Sequence, residues 1–201
     1  MPQRSLSYCA QDDLAANDLI GPYNESLVRL AFISESDLSG LDLIRDLGSS
    51  ARDGVPCPPR GTPTASWIRD ALALASQGTG YVFTLRVPGR DLVGATALRS
   101  ISPRRNSAVL SYWIAPGFRG LGFGAQGVGL TLLWGFTALR LSKIEAFVLP
   151  ENIASRRVLA RSGFRFMQEI STAGGPALAF EVDGRTWKEI YENSRHADAE
   201  L

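Results

Sequence analysis

The apolar positions of this chain switch between two periods, and the switches mark out an ordered set of elements. Residues 26–33 (Ser-Leu-Val-Arg-Leu-Ala-Phe-Ile) carry the β-branched and aromatic character of a first strand. Behind the cap candidates Ser34, Ser36 and Asp37, the residues Leu38, Leu41, Ile44 and Leu47 recur at helical spacing. Residues 48–62 are rich in Gly, Pro and Ser, a loop long for a compact domain and so expected to be mobile or functional. Thr64 caps a helix carrying Trp67, Ile68, Ala71, Leu72 and Ala75, which ends at Gly78. Residues 80–87 and 92–101 read as strands joined by a turn at 88–91, and a second turn at 102–106 leads into a central strand at 108–114. Val128, Leu132, Phe136 and Leu139 predict a helix, and residues 143–149 a fifth strand. Residues 152–162 predict a short helix between Pro150 and Gly163, and 164–170 with 178–182 a closing hairpin around Gly174, Gly175 and Pro176. No element is assigned after Val182, and the chain is expected to fray from Arg195.

These elements predict an α+β arrangement, with helices among antiparallel hairpins and one parallel step around 108–149. The expected organisation is an extension at 1–25, with a short helix around 12–19, a folded domain at 26–190 and a flexible tail at 191–201. A chain of 201 residues with 45% apolar residues is ample for one core, and 20% charged is ordinary. A net charge of +1 argues against a general nucleic-acid surface. Cys9 and Cys57 lie far apart with no Cys-x-x-Cys, which gives neither a disulfide framework nor a zinc site. No apolar run reaches membrane-spanning length and no signal sequence opens the chain, so a cytoplasmic location is expected, with no membrane partner.

Candidate chemistry concentrates at 112–128. An apolar strand there runs into a loop with Gly117, Gly120, Gly122 and Gly124, and the loop opens a helix. Such a turn leaves several backbone N–H groups unpaired at the positive end of a helix dipole, and glycine lets a ligand come close. That combination is an anion site, most often for phosphate. Two common phosphate motifs do not fit: the third glycine of Gly-x-Gly-x-x-Gly would fall on Ala125, and no Gly-Lys-Ser/Thr ending follows.

The pattern Arg119-x-x-Gly122-x-Gly124 resembles the pyrophosphate-binding motif of the GNAT acetyltransferase superfamily, Arg/Gln-x-x-Gly-x-Gly/Ala. The segment 148–164 resembles the block after that family's fifth strand: Asn152, then Ser155 three on, then Gly163 and Phe164 eleven and twelve on. Leu92-Val93-Gly94 before a long strand, Ser107-Ala108 ahead of Tyr112-Trp113, and Pro150-Glu151-Asn152 ahead of Ser155 make the resemblance closest to the branch of the ribosomal-protein N-terminal acetyltransferases RimJ and RimL. The resemblance implies a GNAT fold: a mixed, mostly antiparallel central sheet flanked by helices, with two central strands splayed apart. It implies acetyl-CoA (coenzyme A) as cofactor, its pantetheine arm in that gap, and acetyl transfer to a primary amine by direct attack in a ternary complex. The contacts it implies are the N–H groups of Gly120, Leu121, Gly122, Phe123, Gly124 and Ala125 on the pyrophosphate, with Arg119 positioning the loop or meeting a phosphate. Backbone groups of Trp113, Ile114 and Ala115 would meet the pantetheine amides and one could face the oxyanion. Asn152 would be a cofactor contact and a helix cap. Arg156, Arg157 and Arg161 read most simply as a solvated face, with one a candidate for the 3′-phosphate.

Acetyl transfer from a thioester needs a held cofactor, a neutral amine, a site for the oxyanion and a proton for the leaving sulfur. Asn152, Ser155 and Leu159 share one helix face. The common superfamily acid is a tyrosine at the position of Leu159, a role leucine cannot fill. The RimJ/RimL resemblance implies Ser155 near the sulfur, as proton donor or hydrogen-bond partner. The branch's strand glutamate falls on Val109, and Ser111, which replaces a glycine, is a second candidate projecting toward the site. Asp37, Asp42, Asp46, Asp53 and Glu169 are the carboxylates available to an acceptor pocket formed by the first helix, the 48–63 loop and the closing hairpin; His196 lies in the tail. Tyr112 and Trp113 read as core or pocket wall. An α-amine, with a pKa of about 7.7–8.0, is partly neutral at physiological pH where a lysine near 10.4 is not, which favours an α-amino or similarly weakly basic acceptor. The acceptor is expected to be a protein N-terminus or a small-molecule amine, with the 1–25 extension and the 48–63 loop favouring the small molecule. The absent glutamate and tyrosine keep open a second reading, a non-catalytic acyl-CoA-binding or interaction module. A homodimer also stays open.

Overall fold

The computed structural model describes residues 28–46, 56–59, 61–89, 92–172 and 175–197, with the side chains of 44–46 and 193–197 left aside. The 1–25 extension and most of the 48–62 loop lie outside the described residues. The strands are β1 (Arg29–Phe32), β2 (Tyr81–Arg86), β3 (Leu92–Ser102), β4 (Ser107–Ile114), β5 (Lys143–Val148), β6 (Arg165–Thr172) and β7 (Gly175–Asp183). The helices are α1 (Leu38–Asp46), α2 (Thr64–Ser76), α3 (Phe123–Thr137), α4 (Ile153–Arg161) and α5 (Gly184–Ala197). The strands form one seven-stranded sheet in the order β1-β2-β3-β4-β5-β7-β6. Only β4 and β5 run parallel; the short turns at 103–106 and between β6 and β7 close antiparallel pairs. A parallel pair needs a long crossover, and α3 supplies it.

Alternation along β4 divides the core into two layers. Leu110 and Ile114, with Tyr112 packed beside them, join the core formed with α3, Leu159 of α4 and Trp187 of α5. Trp113 turns to the other face, with Leu41 of α1, Ile68 of α2 and the buried Cys57. The helix α3 is apolar around most of its circumference and lies against β3 and β4. One polar contact pins it there: Thr131 donates to the Gly127 carbonyl (2.8 Å), so Thr96 of β3 donates to Thr131 (2.7 Å), both hydroxyls fully buried.

The elements expected from periodicity are present at 29–183, and three points need correction. Thr64 is the first residue of α2 and not its cap, which is Pro63, and its hydroxyl donates to Asp42 instead. The first helix is preceded by a separate 3-10 turn, Glu35–Asp37, in which the Ser34 N–H donates to the Asp37 carboxylate (2.8 Å). The helix α5 was not expected: the boundary placed at 190 falls inside it, and residues 191–197, assigned to the tail, are helical. Asp183 caps α5, accepting from the Thr186 N–H (2.9 Å) and hydroxyl (2.8 Å), and Trp187 and Tyr191 pack into the core.

Candidate active site

The sheet opens between β4 and β5. The parallel ladder joins 107–110 to 143–146 and stops there. Beyond it, Ser111, Tyr112, Trp113 and Ile114 pair only with β3, while Phe147 and Val148 pair only with β7. This is the splay that the family resemblance implied. Successive residues of a strand present their main-chain groups to opposite neighbours. The Ala115 N–H is bonded to the Val93 carbonyl on β3 (2.9 Å), so the main-chain groups of Tyr112 and Ile114 face the opening. Of the three backbone positions singled out, Ile114 thus faces the gap. Ala115 is engaged on both sides, its carbonyl accepting from the Phe118 N–H (2.9 Å), and Trp113 is buried under α2. On the far side of β4, Gly94 allows β3 to press close: a Cβ there would come within 2.4 Å of the Trp113 carbonyl oxygen.

The loop from β4 to α3 begins with a 3-10 turn, Pro116–Phe118. Arg119 then folds back, its Nε donating to the Ile114 carbonyl (3.0 Å), which fixes the loop against the strand end. Gly120 and Gly122 have φ of 79° and 81°, the left-handed region that side chains disfavour. Gly122 is the N-cap of α3 and brings no side chain to it, and no acidic residue lies in the first turn. The first helical bond is Gln126 N–H to the Gly122 carbonyl (3.2 Å), so the N–H groups of Phe123, Gly124 and Ala125 precede the ladder. Leu121 is exposed, and Phe123 is buried beside Phe118. An uncapped helix start with positive dipole and three outward amides suits an anionic phosphate.

The head of α4 differs. Asn152 caps it with its side chain, accepting from the Ser155 N–H (3.0 Å), and the Pro150 carbonyl accepts from the Arg156 guanidinium (3.2 Å). Ser155 is partly buried, and its oxygen accepts from the Tyr112 phenol at 2.9 Å. The Tyr112 ring lies against the start of α3, where a Cβ on Gly124 would stand 3.5 Å from it. Burial raises the Tyr112 pKa. Ser155 and Ser111 do not meet: Ser111 occupies the opposite face of β4, where its hydroxyl oxygen is buried without a hydrogen-bond partner. Tyr112 is the functional candidate that sequence reasoning took for a wall.

The carboxylates proposed for the acceptor are largely engaged elsewhere. Asp37 is buried and paired with Arg86; Asp42 accepts from Thr64, tying α1 to α2; Glu169 is exposed on β6. Asp53 and the side chains of Asp46 and His196 lie outside what is described. A carboxylate the sequence reading did not single out stands beside Val109: Glu145 is its partner on the parallel ladder and points to the same face. Glu145 lies opposite Glu181 on β7, with Lys143 Nζ 2.6 Å from Glu181 and 3.6 Å from Glu145. The hydrogen bond to Glu181 raises the Lys143 pKa. Among the described residues no helix is long and apolar enough to cross a membrane, and no group of His, Cys, Asp and Glu could hold a metal ion.

The model of the acetyltransferase (GNAT) domain family matches residues 32–165. The chain belongs to the GNAT family. The uncharacterized N-acetyltransferase YoaA of Bacillus subtilis is 32% identical over 101 residues, 50% of this chain and 57% of that protein. The chain spans about half the length of the curated relatives it matches. Among solved structures, Mycobacterium smegmatis RimJ in complex with CoA-disulfide superposes with a TM-score of 0.73 at 24% identity, covering 86% of this chain and 89% of that one. A spermidine N-acetyltransferase SpeG chimera from Vibrio cholerae and hSSAT gives 0.69 at 19%, covering 81% and 99%. These similarities are of fold. Leu159, where the resemblance places the family's common tyrosine acid, is fully buried, and Val109 stands where it places the strand glutamate.

Proposed function

We propose that this GNAT chain is an acetyl-CoA-dependent N-acetyltransferase acting on a primary amine, either a small-molecule amine or a protein N-terminal α-amine. The observation that carries the reading is the sheet opening that leads from the Ile114 main chain to the bare amides of α3, with Ser155 at its other rim. In this reading the N–H groups of Phe123, Gly124 and Ala125, with Gly122 beside them, hold the pyrophosphate, and the loop is braced by Arg119. Bound acetyl-CoA supplies an acetyl thioester, the activated group that an amine nitrogen attacks. The Ile114 N–H orients the pantetheine arm, the Ile114 carbonyl being held by Arg119, and Ser155 donates a hydrogen bond at the sulfur. Asn152 acts through Ser155 by fixing the first turn of α4. On the other face, Ser111 and Glu145 are the polar groups offered to the acceptor nitrogen, with solvent taking the proton it sheds.

A thiol-release assay with a panel of N-terminal peptides, polyamines and other small amines tests this. The expected result is thermal stabilisation by CoA together with release on at least one amine; the absence of both effects would overturn the proposal. A second reading has its own support, since Val109 and Leu159 are both apolar where the family pattern carries catalytic side chains. A non-catalytic acyl-CoA-binding module would be stabilised by CoA and transfer acetyl to nothing on the panel.

A further inference from the structure

We infer that Tyr112 is a positioning residue for the departing sulfur: its phenol donates to the Ser155 oxygen and so turns the Ser155 proton toward the thioester. The inference rests on the acetyltransferase reading above. Tyr112 lies past the last rung of the β4–β5 ladder, with its ring against Gly124 at the head of α3 and its hydroxyl at the head of α4. One side chain therefore ties together the two helix starts that border the opening, although Tyr112 and Ser155 are 43 residues apart.

A serine hydroxyl has one proton and two lone pairs. In α3, Thr131 and Thr137 turn their protons back to the carbonyls four residues earlier, at 2.8 and 2.7 Å. Ser155 is held otherwise. Its N–H is fixed by Asn152 from behind, and its oxygen accepts from Tyr112 at the side. With one lone pair occupied, the Ser155 proton is the group left to point at a ligand. Burial keeps the phenol above its ordinary range, so it remains protonated, and a donor, throughout neutral pH. Donation from the phenol polarises the serine O–H and strengthens it as a donor in turn.

The balance of the step is simple. The acceptor nitrogen bonds to the carbonyl carbon as the carbon–sulfur pair departs with sulfur. Ser155 donates to that sulfur and keeps its own proton. The proton that completes the thiol is the one shed by nitrogen, carried by solvent. Neither hydroxyl is consumed, so no separate step is needed to restore them.

The test compares wild type, Tyr112→Phe and Ser155→Ala in calorimetric titrations with CoA and with desulfo-CoA from about pH 6 to about pH 9, a span that brackets a thiol near 8.5. In wild type, affinity for CoA and not for desulfo-CoA should rise about tenfold across this range, the effect of a one-unit depression of the bound thiol. Both variants should lose most of that rise. In turnover, Tyr112→Phe should lower kcat roughly tenfold with KM for acetyl-CoA changed by less than about twofold, and added to Ser155→Ala it should cost less than about twofold more. Equal changes for CoA and desulfo-CoA, or effects that multiply in the double variant, would overturn the inference and leave Tyr112 as packing. Fluorotyrosine placed at position 112 keeps the ring and the hydroxyl, and should shift the pH midpoint of CoA binding; an unmoved midpoint also overturns it. Failure of wild type to transfer acetyl to any amine overturns the acetyltransferase reading, and the inference with it.

Discussion

Two helices begin at the rim of the same opening, and their first turns are built in opposite ways. The head of α3 has glycine for a cap, with no side chain to satisfy Phe123, Gly124 and Ala125. The head of α4 has Asn152, whose side chain closes on the Ser155 N–H. An unsatisfied helix start is a cost to the free protein, although glycine in place of a side-chain cap costs only about a few tenths of a kcal/mol. A bare head presents a dipole and amides to a ligand. A capped head holds a side chain still. In the proposed reading the contrast separates binding from positioning: α3 would grip through main chain, and α4 would aim one hydroxyl.

The largest effect should come from filling the bare head. Gly122→Val places a branched side chain at a left-handed φ, a strain of about 1–2 kcal/mol, and puts bulk where a phosphate would approach. CoA affinity measured by calorimetry should fall roughly tenfold to a hundredfold, with the melting cooperativity retained. Converting α3 into a capped helix should set stability against binding. Ala125→Glu puts a carboxylate at the third helical position, from which it can reach back to the cap residue's N–H. The free chain should gain about 0.3–1 kcal/mol in chemical denaturation, while CoA affinity drops about tenfold. The reverse change, uncapping α4 with Asn152→Ala, should cost about 1 kcal/mol of stability and lower turnover more than CoA affinity. The smallest effect concerns the capped head of α5. Bonds from the Thr186 backbone and hydroxyl lower the Asp183 pKa. A depressed carboxylate contributes stability that is present above the ordinary Asp range, near 3.9, and disappears as pH falls through the lowered folded value. Acid titration followed by circular dichroism should show α5 losing helicity there, and Asp183→Asn should remove that component.

Much of the α3 side was legible beforehand because glycine and backbone dictate it. The positions of Gly120 and Gly122 encode the turn whatever the neighbouring side chains are, and an apolar run of the length of 108–114 could only be a buried strand next to it. The α4 cap was legible for the same local reason, since Asn152 precedes Ser155 by three. Tyr112 was not. Its partner lies across a register set by the end of the parallel ladder at Leu110 and Ala146, and no local spacing encodes where two strands part. For the same reason Ser111 was grouped with Ser155, although alternation on β4 sends the two to opposite faces. Glu145 escaped notice because it neighbours Val109 in space through β5. The helix α5 left a weaker trace: Trp187, Ile190 and Tyr191 at i, i+3 and i+4 form a short stripe in an otherwise polar stretch, and Asp183 three residues before Thr186 is the cap signal that pointed to it.

Leu159 closes one route of descent. The helix site to which the resemblance assigns the superfamily's common tyrosine acid is here packed without any solvent-accessible surface. A tyrosine arriving there by mutation would meet a filled interior and strand its hydroxyl among hydrocarbon, a change that overpacks and destabilises by about 1–3 kcal/mol before any benefit could be selected. A lineage with this interior is therefore held to the hydroxyls it already has, and its later adaptation would have to run through β4 and the opening turn of α4.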